Sequence, residues 1–427
     1  MKLILCLFLL GMIATARAQQ RPVNYDETNV PAYKLPDPLV CSDGTKVADV
    51  ATWQNKRRPE LLKLFQHEMH GVSPGRPVEM KWETANCDKA ALGGLATRKE
   101  ITVWFGPEKS GSPMHILLYT PNAAKQPVPV FVSVNFDGNH MVSAEPGITI
   151  SEQWTLDKKT KAEKLARPDE KTRGQSIGRW EVERLMARGY ALATIQRADL
   201  EPDYDVGWRH GIRGFLLEKS GQKEFAPDAW GAIGAWAWGL SRTLDVLEKE
   251  KAVDAKRAIV IGHSRMGKAA LWAGAQDERF AIVISNNSGE GGAALARRCY
   301  GETTFVINRS FPHWFCANFK KYGDKEDTLP FDQHELLALV APRPVYVASA
   351  IEDRWADPKG EFLSALNAEP VWKLFGLPGL GVEEWPAVDQ PVGATLGYHV
   401  RTGKHDVLAY DWEQYLNFAD KHLGEKP

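Results

Sequence analysis

Short runs of consecutive apolar residues alternate along the chain with segments of helical periodicity. Apolar runs of about four to eight residues predict strands that are buried on both faces of a sheet. They are MHILLYTP from residue 114, VPVFVSVN from 128, YALATIQ from 190, AIVIG from 258, FAIVISN from 280, RPVYVASA from 343 and ATLGYHVR from 394. Helical periodicity marks residues 176–189, 226–250, 267–278 and 406–423. This alternation predicts an α/β fold, a doubly wound three-layer sandwich with a mostly parallel central sheet.

The first residues of the chain predict a cleavable secretory signal. Residues 1–18 combine a lysine, an apolar run and the small-x-small triplet Ala16-Arg17-Ala18, so the mature chain is expected to start at Gln19. An uncleaved anchor is the alternative interpretation of this segment. Charges or prolines interrupt every later apolar run, and none reaches the roughly 20 apolar residues that a membrane helix needs. We therefore expect a secreted or periplasmic protein with no membrane partner.

The rest of the chain shows no Ser/Pro/Gly-rich linker that would divide it. We predict an N-terminal arm over residues 19–95, whose clearest element is the helical segment NKRRPELLKLFQHEMHG at 55–71. Residues 96–427 are predicted to form one α/β domain, against which the arm packs.

Charge and cysteine content indicate which macromolecules, disulfides and metal ions the protein is expected to have. The 53 Lys and Arg residues nearly balance the 54 Asp and Glu residues, which argues against nucleic acid as the main partner. Outside the leader, Cys41, Cys87, Cys299 and Cys316 could form two disulfides in an oxidising compartment, in any of three connectivities. Their spacing does not indicate a zinc site, and we expect no structural metal.

The stretch IGHSRMGKAA at 261–270 resembles the nucleophile elbow G-x-S-x-G of the α/β-hydrolases, with its second glycine one position late. Met266 stands where glycine is expected, and Gly267 follows it. Ser264 comes directly after an apolar strand and before a helix, which is the context of an elbow. Amides at the start of that helix would face an oxyanion that forms beside the hydroxyl. The alternative is that Ser264 is an ordinary helix N-cap.

A serine hydroxyl becomes a useful nucleophile only when a base accepts its proton. The downstream candidates are His313, His334, His399, His405 and His422. His405 lies between the last predicted strand and the last helix, where this fold delivers its base. His399 falls within that strand and His422 within that helix. As an alternative, His405 could be a loop histidine that caps the last helix.

Two carboxylates compete to orient the imidazole. Asp353, in VYVASAIEDRWADP, follows one strand end, and Glu290, in IVISNNSGEGG, follows the strand after the elbow helix. Both loops are expected at the same edge of the sheet. The chain order Ser, Asp, His favours Asp353, and the neighbouring Glu352 is expected to face solvent.

Taken together, these motifs resemble a known enzyme family. GHSRMGKAALWAGAQDERFAIVISNNSGEGGAA, with GET at 301–303, IEDRW at 351–355 and GKHD at 403–406, is similar to the glucuronoyl esterases of carbohydrate esterase family 15. Those enzymes carry G-x-S-R-x-G-K at the elbow, so the late glycine is a feature of that family. The similarity spans roughly residues 100–420 and implies the α/β-hydrolase fold.

The resemblance also implies roles for individual residues. Ser264 would attack an ester carbonyl, His405 would act as general base, and Arg265 would contribute to the oxyanion hole. The positions that hold the sugar ring of the uronate are matched by Lys268, Glu302 and Trp355. Cations are disfavoured by the dipole at a helix N-terminus, so Arg265 and Lys268 call for a functional reason there. Glu302 could instead be a surface acid, and Trp355 could be core packing.

This chain departs from the fungal members of the family at three positions. Asn287 stands where they carry the glutamate of the triad. Bacterial members supply the acid from the position of Asp353, which we therefore prefer, with Glu290 in reserve. His263 and Asp406 replace two cysteines that are joined in fungal members, so that disulfide is absent here.

The sequence thus predicts a monomeric serine esterase that needs no cofactor. The expected substrates are esters of (4-O-methyl-)glucuronic acid that link glucuronoxylan to lignin alcohols, cleaved through an acyl-enzyme. The alternatives are an acetyl or pectin methyl esterase of the same fold, and a carbohydrate-binding relative without activity. Loops 136–180 and 196–227 are expected to form the cleft walls, with aromatic rings that contact a longer glycan: Trp154, Trp208 and Phe215.

Overall fold

The computed structural model describes residues 23–424, so the predicted signal sequence lies outside the described residues. The strands are β1 Lys81–Ala91, β2 Ala96–Trp104, β3 Met114–Pro121, β4 Val128–Asn135, β5 Gln153–Leu156, β6 Glu163–Ala166, β7 Ala191–Gln196, β8 Val253–His263, β9 Ile282–Asn286, β10 Val345–Ala350, β11 Val392–Gly393 and β12 Leu396–Arg401. The α-helices are α1 Val50–Thr52, α2 Arg58–Phe65, α3 Val182–Ala187, α4 Arg197–Leu200, α5 Ile212–Lys219, α6 Ala232–Leu247, α7 Arg265–Gln276, α8 Thr304–Ser310, α9 Gln333–Ala338, α10 Pro358–Leu374 and α11 Ala409–Leu423.

One large sheet runs through the molecule in the order β1-β2-β3-β7-β4-β8-β9-β10-β12-β11. The six strands from β7 to β12 in this order pair in parallel. Antiparallel strands extend the sheet at both ends, with β1, β2 and β3 at one end and β11 at the other. The mostly parallel sheet predicted from the apolar runs is therefore confirmed.

The pleat of the central strands separates two apolar cores, one on each face of the sheet. Along β4, Val130 and Val132 point into one core and Phe131 into the other. The first core contains side chains of α6, α7 and α10, and the second contains side chains of α3 and α11. Helices thus cover both faces, which gives the predicted three layers.

Each predicted strand corresponds to an observed one, but β1, β2 and the two-residue strand β11 of the large sheet were missed. β1 has mostly exposed side chains, and β2 alternates between buried and half-buried positions. The charged residues of β1 and β2 interrupt the continuous apolar pattern of a central strand, because antiparallel strands near the edge of a sheet need not be buried on both faces. The predicted helix over 176–189 is also shorter in the structure, where only α3 is α-helical.

The chain before β1 packs against the α/β domain through buried charges. Its predicted helical segment is present over residues 50–70, as α1 and α2 with two π-helical turns. Arg57 forms an ion pair of 2.6 Å with Glu335 of α9, and both side chains are almost fully buried. Arg58 donates hydrogen bonds to the carbonyl groups of Ala275 and Leu339. β1 lies within the range 19–95 and pairs with β2, so this range also supplies the edge of the sheet.

Two disulfides among the four cysteines are not formed, which corrects that possibility. Cys41, Cys87 and Cys316 all carry free thiols. Cys41 and Cys316 are buried, and Cys87 is exposed on strand β1. Among residues 23–424, no helix is long and apolar enough to cross a membrane.

Removal of the Arg57 side chain should destabilise the whole protein. Arg57→Ala leaves the buried carboxylate of Glu335 without its partner, and breaking a buried ion pair costs about 3–5 kcal/mol. We expect a loss of this size in the free energy of unfolding, measured by urea denaturation. Lys56→Ala is the matched control, because the neighbouring ion pair of Lys56 with Asp43 is exposed to solvent. Equal losses from both variants would contradict a structural role for the buried pair.

Candidate functional site

Ser264 occupies the sharp turn between β8 and α7. Its backbone has φ 58° and ψ −129°, a conformation that costs a non-glycine residue free energy and that is concentrated at functional sites. The Ser264 amide is held by a hydrogen bond of 2.8 Å to the carbonyl of Asn286. Its side chain accepts no hydrogen bond from the amides of α7. The strained turn therefore leaves the hydroxyl of Ser264 without a capping hydrogen bond, at the wall of a cavity. The alternative that Ser264 is an ordinary helix N-cap is not supported.

Two glycines explain the altered shape of this elbow. A Cβ atom on Gly262 would lie 1.9 Å from the carbonyl oxygen of Met266, so only glycine fits before the serine. A Cβ atom on Gly267 would lie 2.9 Å from the Cβ atom of Ser288, in the loop after β9. The late glycine thus lets α7 approach that loop closely, while the side chain of Met266 is buried in the core.

The loops that follow four neighbouring strands meet beside Ser264. Ser264 follows β8, Asn287 follows β9, Asp353 follows β10 and His405 follows β12. Carboxyl ends of parallel strands lie at one edge of a sheet, where α/β proteins commonly bind ligands. All four residues line one cavity of about 280 Å³.

The His405 imidazole is held by a buried carboxylate. Nδ1 of His405 lies 2.5 Å from Oδ2 of Asp353, whose side chain is 5% exposed. Burial acts to raise the pKa of Asp353, but the hydrogen bond with His405 and the charge of that ring hold it below its ordinary value. An ionised Asp353 favours the tautomer with the proton on Nδ1, which leaves Nε2 free to accept a proton.

Asn287 supports Asp353 from the neighbouring loop. Its side-chain amide donates a hydrogen bond of 2.7 Å to Oδ2 of Asp353. Glu290, the reserve candidate for the acid, is placed elsewhere: its carboxyl group accepts a hydrogen bond of 2.6 Å from Thr304 of α8. Burial raises the pKa of Glu290 well above its usual value, so a neutral acid is favoured there. The contacts of Glu290 thus favour Asp353 over it as the residue that orients His405.

The loop that carries His405 is fixed by a residue that the sequence reasoning missed. Arg401 is 1% exposed, and its guanidinium donates to the backbone carbonyls of Thr402, Lys404 and Asp406. Asp411 of α11 accepts a further hydrogen bond of 2.7 Å from Arg401. An arginine at the end of a strand gives no sign in the sequence that its partners are carbonyls of the next loop.

The two positions that hold cysteines in fungal members make other contacts here. The ring of His263 lies 4.4 Å from that of His405, measured between centroids. Burial, with a smaller effect of His405, lowers the pKa of His263 to about 3, so His263 packs as a neutral ring. Asp406 accepts a hydrogen bond of 2.6 Å from Arg179.

One side of the cavity combines a buried ion pair with aromatic rings. Lys268 donates hydrogen bonds to the carbonyls of Ser288 and Glu290, and its Nζ atom lies 3.6 Å from Glu302. Burial lowers the pKa of Lys268 and raises that of Glu302. Trp355 is 39% exposed. Glu302 is thus not a surface acid, and Trp355 is not core packing.

Arg265 lies on the aromatic wall of the cavity. Its guanidinium forms an ion pair with Asp203 and lies 4.8 Å from the ring centroid of Trp314. Trp314 in turn stacks on Phe311 at 3.8 Å, and both rings line the cavity. Neither Asp203 nor Trp314 was identified from the sequence, because no motif of the elbow type marks them.

The prediction that loops 136–180 and 196–227 line the cavity beside Ser264 is wrong, because the residues that line it all lie between 264 and 405. The three aromatic residues expected there line a different groove of about 530 Å³: Trp154, Trp208 and Phe215. The aromatic residues beside Ser264 come instead from the chain after β9 and after β10: Phe311, Trp314 and Trp355. Within residues 23–424, no group of three or more His, Cys, Asp or Glu side chains is arranged to hold a metal ion.

The arrangement is suited to acyl transfer. It combines a hydroxyl on a strained turn, an imidazole in the same cavity and a carboxylate that orients the imidazole. This is the set of groups that activates a serine nucleophile in several unrelated folds.

Comparison with known proteins relates the whole chain to one enzyme family. A family model described as fungal glucuronyl esterase matches residues 225–376. The chain is 47% identical over 406 residues to a carbohydrate esterase from an unknown prokaryotic organism, covering 95% of this chain and 93% of the relative.

Two solved structures are similar over nearly their full length. The glucuronoyl esterase from Solibacter usitatus is 51% identical, with a TM-score of 0.89, and the match covers 93% of this chain and 100% of that chain. A promiscuous esterase of carbohydrate esterase family 15 from the marine bacterial metagenome is 47% identical, with a TM-score of 0.86, and covers 94% of this chain and 100% of that chain. These similarities confirm the predicted α/β-hydrolase fold.

The two competing carboxylates can be separated by the reactivity of Ser264. Asp353→Asn removes the charge that orients the imidazole, and we expect labelling by a fluorophosphonate probe to slow by roughly 10² to 10⁴. Glu290→Gln is the matched control, because it neutralises a buried carboxyl group that bonds to Thr304. Its labelling rate should stay within about threefold of wild type. A larger loss from Glu290→Gln than from Asp353→Asn would reverse the assignment.

Proposed function

Because the chain belongs to carbohydrate esterase family 15, we propose that it is a serine esterase that hydrolyses esters of glucuronic acid. One observation carries this proposal. The cavity that holds Ser264, Asp353 and His405 also holds a polar and aromatic surface suited to a sugar ring: Lys268, Glu302 and Trp355.

In the proposed reaction, the hydroxyl of Ser264 attacks the ester carbonyl while His405 accepts its proton at Nε2. The carboxylate of Asp353 stabilises the imidazolium that results. Arg265 stabilises the negative charge that develops on the carbonyl oxygen. The leaving alcohol takes the proton from His405. Water then attacks the acyl-enzyme while His405 accepts its proton, and the oxygen of Ser264 takes that proton as the acid product leaves.

The charges in the cavity indicate how it would bind the sugar part of the substrate. The carboxyl group of a glucuronate ester is neutral, so Lys268 cannot be selecting a free carboxylate. The buried ammonium group of Lys268 and the buried carboxyl group of Glu302 are suited to hydrogen bonds with ring hydroxyls, which are worth about 1.5–3 kcal/mol when one partner is charged. Trp355 offers an exposed flat ring to a sugar face.

The finer parts of the proposal concern the natural substrate and location. We propose that the ester joins (4-O-methyl-)glucuronate side groups of glucuronoxylan to lignin alcohols, and that the enzyme acts as a monomer. Secretion is proposed from the composition of residues 1–18. One solved relative is described as a promiscuous esterase. We therefore propose acetyl and pectin methyl esters as a second class of substrates. An activity panel on benzyl glucuronate, methyl galacturonate and acetylated xylan separates these substrates.

Ser264→Ala should abolish ester hydrolysis while leaving the fold intact. Loss of the nucleophile costs on the order of 10⁴ to 10⁶ in kcat, because the three groups act as a unit. Initial rates on benzyl glucuronate and circular dichroism spectra test the two parts of this expectation. A folded variant with activity within tenfold of wild type would end the serine-esterase proposal, and a non-catalytic relative would show no activity even as wild type.

Trp355→Ala tests the sugar pocket more cleanly than a change at Lys268, because Lys268 also holds the loop of Ser288 and Glu290. Loss of a contacting aromatic ring costs about 2 kcal/mol in binding, or roughly 30-fold. We expect kcat/KM on benzyl glucuronate to fall by about that factor. Hydrolysis of p-nitrophenyl acetate, which has no sugar, should change by less than about threefold. Equal losses on both substrates would remove Trp355 from the sugar pocket.

A further inference from the structure

Asp203 is a buried carboxylate that contacts four side chains at the edge of the cavity. Its side chain is 4% exposed. Oδ2 pairs with the guanidinium groups of Arg265 and Arg197, the latter at 2.5 Å. Oδ1 accepts hydrogen bonds of 2.9 Å from Nε2 of His313 and 2.8 Å from the indole of Trp314. Both oxygens of Asp203 are therefore fully engaged.

Two of these partners line the cavity beside Ser264. Arg265 and Trp314 both border it, and the guanidinium lies over the indole ring. Asp203 bonds to Nη1 of Arg265 and to the ring nitrogen of Trp314. A single carboxylate thus fixes the in-plane orientation of the guanidinium and of the ring on which it lies.

The charge of Asp203 is needed as well as its shape. Two guanidinium groups bond to the same oxygen, and both lie near the ring of Phe136, at 5.8 Å for Arg197 and 6.0 Å for Arg265. Without an anion between them, these like charges would repel each other in a site of low dielectric constant. Burial acts to raise the pKa of Asp203, but the His313 hydrogen bond and the two arginines hold it well below its usual range.

We infer that Asp203 is a positioning residue for catalysis: it holds Arg265 beside Ser264, where the arginine can stabilise the oxyanion. This inference rests on the proposed function, since it requires Arg265 to act on the developing negative charge. A donor placed in advance costs no reorganisation at the moment of reaction, and one such donor contributes about 10²- to 10³-fold to kcat. A displaced Arg265 should lose most of that contribution.

A double-mutant cycle tests whether Asp203 acts through Arg265. In Asp203→Asn, an amide group faces two guanidinium donors, and we expect kcat on p-nitrophenyl acetate to fall by roughly 10- to 100-fold with little change in KM. Arg265→Ala should lower kcat at least as much. In the Arg265→Ala background, adding Asp203→Asn should cost less than about threefold more. Losses that multiply in full would overturn the inference.

Two further variants test whether the loss in Asp203→Asn comes from the segment or from the indole. Asp199→Asn makes the same change at a similarly buried carboxylate four residues earlier, which bonds to His115 and to no cavity residue. It should retain kcat within about threefold, and a loss equal to that of Asp203→Asn would point to general damage to this segment. Trp314→Phe keeps a ring but removes its N–H group. If the Asp203→Asn loss disappeared in this background and persisted with Arg265→Ala, the indole rather than Arg265 would be the target.

The readouts also separate this inference from the proposed function. Circular dichroism checks each variant. If Asp203→Asn does not fold, Asp203→Glu replaces it in the cycle, because the longer side chain keeps the charge but displaces the carboxylate, and its loss of kcat should likewise fall below about threefold in the Arg265→Ala background. The cycle uses an ester without a sugar. A wild-type enzyme that hydrolyses p-nitrophenyl acetate but not benzyl glucuronate would refute the proposed substrate and leave the Asp203 cycle interpretable. Full kcat in folded Asp203→Asn would refute the positioning role alone.

Discussion

The site depends on a series of backbone hydrogen bonds that continue the parallel pairing of the sheet beyond its strand ends. The carbonyl of Asn286 accepts from the amide of Ser264, and the amide of Asn287 donates to the carbonyl of Ala348. One strand further, the amide of Ile351 donates to the carbonyl of Arg401. The strained serine, the amide that supports the acid, and the loops of the acid and the base are therefore set by one register. A slip of this register would separate all of them together.

Around this frame the protein buries an unusual set of charged and polar groups. Glu361 is fully buried beneath the loop after β9, where it accepts hydrogen bonds from the amides of Ser288 and Gly289 and from the hydroxyl of Ser349. Burial raises its pKa to about 8. Such groups are costly to bury unless they are paired or hydrogen-bonded. Here they immobilise loops, and their partners are mostly backbone groups of the segments that carry the reacting side chains.

The sequence was sufficient to predict that strand order and a local motif bring Ser264, Asp353 and His405 into one cavity. Ser264 was marked by its glycines, and His405 and Asp353 were marked by their places after apolar strands. Asp203, Arg401 and Glu361 could not be found in this way. A charged residue is usually exposed to solvent, so its sequence context does not reveal that it is buried. The partners of Asp203 and Glu361 include groups far away in the chain, which the sequence alone cannot bring together. The aromatic walls were misplaced for a related reason: Trp154 and Trp314 look equally suitable until the fold decides which of them lies beside the serine.

The replacement of the fungal cysteines by His263 and Asp406 determines which solution conditions can disturb the loop of His405. The loop of His405 is held by the tilted ring contact of His263 with His405, by the Arg179–Asp406 ion pair and by the buried guanidinium of Arg401. None of these contacts is a covalent bond between sulfur atoms, so thiol reductants have nothing to cleave beside the nucleophile. The half-exposed Arg179–Asp406 pair is instead open to screening by ions. Salt can therefore weaken that exposed pair, while the buried guanidinium of Arg401 continues to hold the loop whatever the ionic strength or redox potential.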